Sequence, residues 1–110
     1  MPDTVQEIYF ADIKTRAVFA VDGPQPQLLV DTPEFKTVVV GLEAGQQIPL
    51  HPDVAAVYYF LEGSGLMTVG DETFAIQPGV TILTPPGALR GMNAKTRIIF
   101  LGAKGGVTLQ

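Results

Sequence analysis

His51 is the only histidine in the chain, and its side chain offers the widest range of chemistry in this sequence. An imidazole can act as a general base, bind a metal ion or pair with a carboxylate such as that of Asp53, two residues later. Any serine or threonine nucleophile, for example Ser64 or Thr84, would need this one histidine as its base. Neither lies in a nucleophile motif, so the sequence gives little support to serine-type hydrolysis.

The composition excludes several other classes of function. There are no cysteines, which excludes disulfides, thiolate metal sites and cysteine nucleophiles. Seven Lys and Arg against eleven Asp and Glu give a net charge of −4, without the clustered cations that phosphate backbones need. The longest apolar run, Val54 to Leu61, is too short to cross a bilayer, and the N-terminus has no apolar signal core. We therefore expect no nucleic-acid partner, no membrane partner and a cytoplasmic location.

The elements that must position these residues are short strands. Apolar residues alternate with a period of two, and the 12 Gly and 9 Pro fall mostly between the alternating runs. This pattern predicts one all-β domain over residues 1–110, in which tight turns join sequential antiparallel strands into a barrel. The candidate strands are Glu7–Ala11, Ala17–Val21, Leu28–Asp31, Phe35–Glu43, Val54–Leu61, Leu66–Val69, Glu72–Ile76, Val80–Leu83, Ala88–Asn93 and Thr96–Ala103.

Residues 45–65 carry the spacing of a known motif. Gly45 is followed by five residues and then His51, and the stretch closes at Gly63 in a glycine-rich turn. This arrangement resembles the first motif of the cupin family, which runs glycine, five residues, His-x-His, a short gap, glutamate, six residues and glycine.

Residues 79–94 resemble the second cupin motif. Gly79 is followed by five residues and then Pro85-Pro86-Gly87, as in the family, but Arg90 stands at the family's histidine position and Ala94 at its asparagine position. The resemblance implies an RmlC-like cupin, a single-domain antiparallel jelly-roll β-barrel.

The resemblance also bears on metal binding. In the family, two histidines, a glutamate and a later histidine converge on one divalent cation. The corresponding positions here hold His51, Asp53, Ala56 and Arg90. Because arginine stays protonated and cannot bind a metal, only His51 and Asp53 remain as donors, whereas a protein metal site needs at least three. We expect no metal cofactor; a divalent cation, if one bound, would be held by His51 and Asp53.

Since the family's ligand positions converge, the resemblance implies that His51, Asp53 and Arg90 face the barrel interior. Our hypothesis is that Arg90 replaces the positive charge of the metal, with Asp53 as its carboxylate partner. Three alternatives stay open: His51 is a hydrogen-bonded barrel histidine or lies at the barrel mouth, Asp53 stabilises a turn, or Arg90 is a surface cation.

Strand parity adds further candidates for a ligand-binding wall: Tyr58, Phe60, Met67 and Met92. The alternative for these residues is that they only fill the core. If Ala56 leaves space where the family has a glutamate, the barrel could hold an apolar cavity with His51, Tyr58 and Arg90 as its polar groups. Such a cavity would suit a small ligand, including one whose carboxylate binds Arg90.

Four functions follow from this interpretation. The first is a metal-independent cupin, expected to be a homodimer because the domain is small, that binds a small organic ligand in the barrel. The second is a metal-free isomerase or epimerase with His51 as base and Tyr58 as acid. The third is a degenerate metal-dependent dioxygenase or isomerase that uses His51. The fourth is a structural cupin whose barrel is filled by side chains.

Overall fold

The computed structural model describes residues 6–106 and confirms the prediction of an all-β antiparallel fold. Its nine strands are β1 (Gln27–Asp31), β2 (Phe35–Leu42), β3 (Gln47–Pro52), β4 (Ala55–Glu62), β5 (Gly65–Val69), β6 (Glu72–Ile76), β7 (Thr81–Thr84), β8 (Leu89–Ala94) and β9 (Ile98–Gly105). Residues 1–5 and 107–110 of the predicted 1–110 domain lie outside the described part.

The strands form two facing sheets that together make a jelly-roll barrel. The five-stranded sheet has the order β1-β2-β9-β4-β7, and the four-stranded sheet has the order β3-β8-β5-β6. Along β4 the side chains alternate, since Ala56 and Phe60 are buried while Val57 and Tyr59 are exposed. The core therefore lies between the two sheets, which is also where the candidate site residues have to meet.

Two predicted strands, Glu7–Ala11 and Ala17–Val21, are wrong. Both segments have the alternating composition of strands, but neither pairs with a neighbouring strand, and only a four-residue 3-10 helix, Ile13–Arg16, lies between them. They are held by other contacts, such as the hydrogen bond from the Gln6 amide to the Leu29 carbonyl. No helix within residues 6–106 is long and apolar enough to cross a membrane.

One strand, β3, is absent from the predicted set. Its sequence contains Pro49 and Pro52, which lack the N–H that a sheet ladder uses and therefore argue against a strand. In the structure β3 lies at the edge of its sheet, and its pairing with β8 is irregular between Ile48 and His51. An edge strand with an irregular register accommodates both prolines, and it carries His51 into the barrel wall.

The segment before β1 packs on the outward side of the five-stranded sheet. A Cβ atom added at Gly41 would lie 2.8 Å from the backbone oxygen of Val18 and 3.0 Å from the ring of Phe19, so only glycine permits this close approach. The guanidinium of Arg97 stacks 4.2 Å above the Phe19 ring and forms two hydrogen bonds to Glu43. These contacts fix the segment that leads into the loop before β1. Pro24 and Pro26 of that loop border the cavity described next.

Candidate functional site

A cavity of about 200 Å³ lies between the two sheets. Most of its wall is apolar, and Pro24 and Pro26 of the loop before β1 form part of that wall. Its apolar side chains include Val38, Val40, Ile48, Met67, Met92 and Phe100, and its polar side chains are His51, Asp53, Tyr58, Arg90 and Lys104.

Six of the seven residues that we predicted as ligand-binding line this cavity: His51, Asp53, Tyr58, Met67, Arg90 and Met92. Phe60 does not line it. It lies two residues further along β4, is fully buried and packs against Phe100 with ring centroids 5.7 Å apart, so it belongs to the core beneath the cavity. The sheet register explains the grouping, because Arg90 lies opposite His51 and Met92 lies opposite Met67.

Arg90 is buried, with 1% of its surface exposed, so it is not a surface cation. Its Nε donates to the Ala88 oxygen at 3.0 Å, and Nη1 donates to the Val54 oxygen at 2.7 Å. Its Nη2 donates to the backbone oxygens of Asp53 at 3.0 Å and Pro85 at 3.1 Å. Four of the five guanidinium N–H groups thus bind carbonyls and join the loop between β3 and β4 to the loop between β7 and β8.

The expected ion pair between Arg90 and the Asp53 carboxylate is replaced by another arrangement. Arg90 donates a hydrogen bond to the backbone oxygen of Asp53, whereas the carboxylate Oδ2 of Asp53 pairs with Lys104 Nζ at 2.7 Å. Its Oδ1 accepts from the Val54 N–H at 2.8 Å, which is the local turn-stabilising bond among the alternatives. Burial raises the pKa of Asp53, but the hydrogen bonds from Lys104 and Val54, with the positive charges of Lys104 and Arg90, outweigh it and leave that pKa below its ordinary value.

Lys104 is the site residue that our sequence analysis missed. It lies on β9 directly opposite Ala56, so a long side chain stands across from the small residue at the family's glutamate position. Strand parity could have identified Lys104, since it lies four positions after Phe100 and shares the inward face of β9 with it. That signal requires the register of β9, which the sequence alone does not supply.

His51 is half-buried and its Nδ1 lies 2.9 Å from the Pro49 oxygen. A carbonyl oxygen only accepts hydrogen bonds, so Nδ1 is the donor in this contact, which leaves Nε2 as the ring nitrogen that can meet a ligand. Tyr58 is also half-buried, with its ring edge-on to Phe100 at 5.7 Å and 60°. The cavity therefore has the imidazole of His51 and the hydroxyl group of Tyr58 in addition to its charged groups, Asp53, Arg90 and Lys104.

These residues do not fit the divalent cation of the cupin motif. Of the four positions that the motif would use, Ala56 has no donor and Arg90 cannot bind a metal. The Asp53 carboxylate is held by Lys104, and the nearby cation of Arg90 would repel a metal ion. Within residues 6–106, no three His, Cys, Asp or Glu side chains are grouped in a way that could hold a metal ion.

The hydrogen bonds of Arg90 lead to a stability prediction. Arg90→Met leaves four inward carbonyls without their donor and should lower the free energy of unfolding by at least about 3 kcal/mol, measured by urea denaturation. Arg97→Met removes an exposed ion pair and serves as the control, with an expected loss much smaller than that of Arg90→Met. Similar losses for the two variants would contradict the role given to Arg90.

The lowered pKa of Asp53 leads to a pH prediction. Its pair with Lys104 stabilises the fold above the carboxyl pKa of the unfolded chain, about 4, and this stabilisation is lost as the pH falls through the lower pKa of the folded state. Asp53→Asn should therefore cost about 1 kcal/mol at pH 7 and progressively less towards pH 3. Urea denaturation across this range checks it, with Lys104→Gln expected to show the same trend and a pH-independent gap arguing against the pair.

Known structures share the fold described above. The structure resembles the conserved SPY1581 protein of unknown function from Streptococcus pyogenes, with 21% identity and a TM-score of 0.84 over 97% of this chain and 95% of that one. The TT1209 protein from Thermus thermophilus gives 22% identity and a TM-score of 0.81 over 89% and 97%. An RmlC-like cupin from Shewanella frigidimarina gives 21% and 0.73 over 77% and 78%. At these identities the likeness concerns the fold.

No curated protein matches the chain. The family described as "Cupin domain" matches residues 38–100, which is more than half of the chain and includes most of the strands around the cavity. The jelly-roll prediction and the resemblance to a small RmlC-like cupin are thereby confirmed. This chain belongs to the cupin family.

Proposed function

We propose that this cupin binds a small, mainly apolar organic carboxylate in its cavity, without a metal ion. The observation that carries the proposal is the charge of the cavity wall, where two cations, Lys104 and Arg90, accompany one carboxylate, that of Asp53. One positive charge is left over in an otherwise apolar space, and it favours an anionic ligand.

The size of the cavity limits the ligand. An apolar protein cavity of about 150 Å³ is known to admit benzene. A cavity of about 200 Å³ therefore has room for a single ring or a short branched chain with one polar substituent. Met67 and Met92 form part of the wall, and their flexible thioether side chains can adapt to different apolar shapes.

Lys104, and not Arg90, is the better anchor for the carboxylate. Arg90 has one N–H left after its four bonds to carbonyls, so it cannot grip a carboxylate with two parallel hydrogen bonds. An ammonium group has three donors, and Asp53 Oδ2 occupies one of those on Lys104. The proposal thus keeps the ligand carboxylate expected from the sequence and moves its partner from Arg90 on β8 to Lys104 on β9 of the facing sheet.

The same ligand would also meet His51 and Tyr58. His51 Nε2 can accept a hydrogen bond from a ligand hydroxyl or amine, and the Tyr58 hydroxyl can donate one to a carbonyl. Neither bond is needed for a purely apolar ligand body, so these two groups would select among carboxylates of similar size.

The absence of a metal in this proposal rests on the chemistry of the donors. A cation at the motif position would need the Asp53 carboxylate, which Lys104 and the Val54 N–H already engage. Removing Lys104 would free that carboxylate, but it would still leave only two donors, Asp53 and His51, beside the fixed charge of Arg90.

A catalytic role is the second candidate, favoured by the fact that His51 and Tyr58 line the same cavity. His51 Nε2 could remove a proton next to the carboxylate of a bound ligand, and the Tyr58 hydroxyl could return one, as an isomerase requires. Deuterium uptake at carbon by a bound carboxylate in D₂O, abolished in His51→Gln, would distinguish catalysis from binding alone.

Benzoate and its uncharged analogue benzyl alcohol test the proposed ligand class. Benzoate should bind at least about tenfold more tightly, because a hydrogen bond to a charged group contributes about 1.5–3 kcal/mol. NMR titration of the isotope-labelled protein measures both dissociation constants and places the contacts at the cavity residues.

Lys104→Met should remove this preference for benzoate. Lys36→Met is the matched control, because Lys36 lies on the surface with its Nζ 3.6 Å from Asp31, and it should leave the preference intact. Equal binding of the two compounds to the unmodified protein, or no binding of benzoate at the cavity, would refute the proposed ligand class.

A further inference from the structure

Asp53 is fixed in the wall of the cavity at both its backbone and its side chain. Its backbone oxygen accepts hydrogen bonds from Arg90 Nη2 at 3.0 Å and from the Gly87 N–H at 2.8 Å. Its carboxylate accepts from the Val54 N–H at 2.8 Å through Oδ1 and from Lys104 Nζ at 2.7 Å through Oδ2. Turning the carboxylate away from the cavity would break both of its own hydrogen bonds, so it stays in place when a ligand enters.

An anion that binds Lys104 must therefore share the ammonium group with Asp53. The ammonium has three donors, and Oδ2 of Asp53 occupies one of them. Hydrogen bonds of normal length from two donors of one ammonium place their acceptors roughly 4.5 Å apart. The ligand anion thus lies close to a fixed negative charge, and like charges repel strongly at this distance in a mostly apolar space.

The charges of the wall leave room for one negative charge on the ligand. Lys104 and Arg90 are positive and Asp53 is negative, so a single positive charge remains unmatched. A ligand with one negative charge balances it. A second negative charge would find no unmatched cation, and it would lose its hydration among apolar side chains such as Met67 and Phe100.

We propose that Asp53 makes the cavity selective for singly charged anions over doubly charged ones. This inference rests on the proposed function, anion binding at Lys104, and adds a limit on the charge of the ligand. Monocarboxylates and sulfate esters would be accepted, whereas dicarboxylates and phosphate monoesters would be rejected. Asp53 determines this specificity through the charge that it places beside Lys104.

Phenyl sulfate and phenyl phosphate are a matched pair of ligands for the test. They share the ring, the linking oxygen and a tetrahedral head group. At pH 8 the sulfate ester carries one negative charge and the phosphate ester close to two, because the second pKa of a phosphate monoester is about 6. NMR titration of the isotope-labelled protein at low ionic strength, where screening is weak, measures both dissociation constants. The unmodified protein should bind phenyl sulfate at least about tenfold more tightly than phenyl phosphate.

Asp53→Asn should remove this preference. The wall then holds two cations and no carboxylate, so phenyl phosphate should bind at least as tightly as phenyl sulfate, and both more tightly than to the unmodified protein. Asparagine keeps an Oδ1 that can accept from the Val54 N–H. Asp53→Glu retains the negative charge and should retain the preference for phenyl sulfate.

Asp31→Asn is the matched control. Asp31 is exposed and pairs with Lys36 outside the cavity, so this variant changes the net charge of the chain by the same amount as Asp53→Asn. Its preference for phenyl sulfate should equal that of the unmodified protein, which separates the local charge of Asp53 from a general change in charge.

Equal affinity of the unmodified protein for the two esters would overturn the inference, and so would a preference that survives in Asp53→Asn. Either result leaves the proposed function standing as long as phenyl sulfate or benzoate binds at the cavity, whereas no binding of any of these anions would overturn both. Circular dichroism establishes that Asp53→Asn is folded. If it is not, Asp53→Ser removes the same charge while offering a hydroxyl group to the Val54 N–H, with the same expected loss of preference.

Discussion

The buried guanidinium of Arg90 is the interaction on which the rest of this site depends. A cation with 1% of its surface exposed is stable only if its donors are satisfied, and here four backbone carbonyls from two loops satisfy them. In the cupin motif a histidine would occupy this position and help to hold a metal ion. Arg90 joins the same two motif regions through hydrogen bonds that belong to the protein itself.

The neighbouring residues are arranged in keeping with this exchange. The backbone carbonyl of Asp53 accepts a hydrogen bond from Arg90, and its carboxylate accepts one from Lys104. Ala56 is small enough to leave room opposite the lysine. The result is a cavity with an ammonium group on one wall and the imidazole of His51 on another. A small organic anion is a better match for these groups than a divalent cation.

Motif spacing and strand parity predicted much of this site. The resemblance to the cupin motifs implied that the positions of His51 and Arg90 converge, and strand parity added Tyr58, which shares a face with Ala56; all three line the cavity. Spacing and parity could not predict Lys104, because its pair with Asp53 joins residues 51 apart and depends on the register between β4 and β9. They also could not decide which oxygen of Asp53 would accept from Arg90, since that depends on the turn conformation.

The fold was predicted best where local and long-range requirements agree. The strands from β4 to β8 follow one another through short turns and match the alternation in the sequence. Strand β3 was missed because prolines are tolerated at a sheet edge, and Glu7–Ala11 was wrong because composition alone cannot provide a pairing partner.

Metal content tests most directly whether Arg90 has taken the place of the metal. The protein would be produced in medium supplemented with manganese, iron, nickel and zinc, purified without a metal-affinity step and analysed by mass spectrometry of its elements. The account predicts far less than one metal ion per chain. Close to one transition-metal ion per chain, lost in His51→Ala, would contradict it.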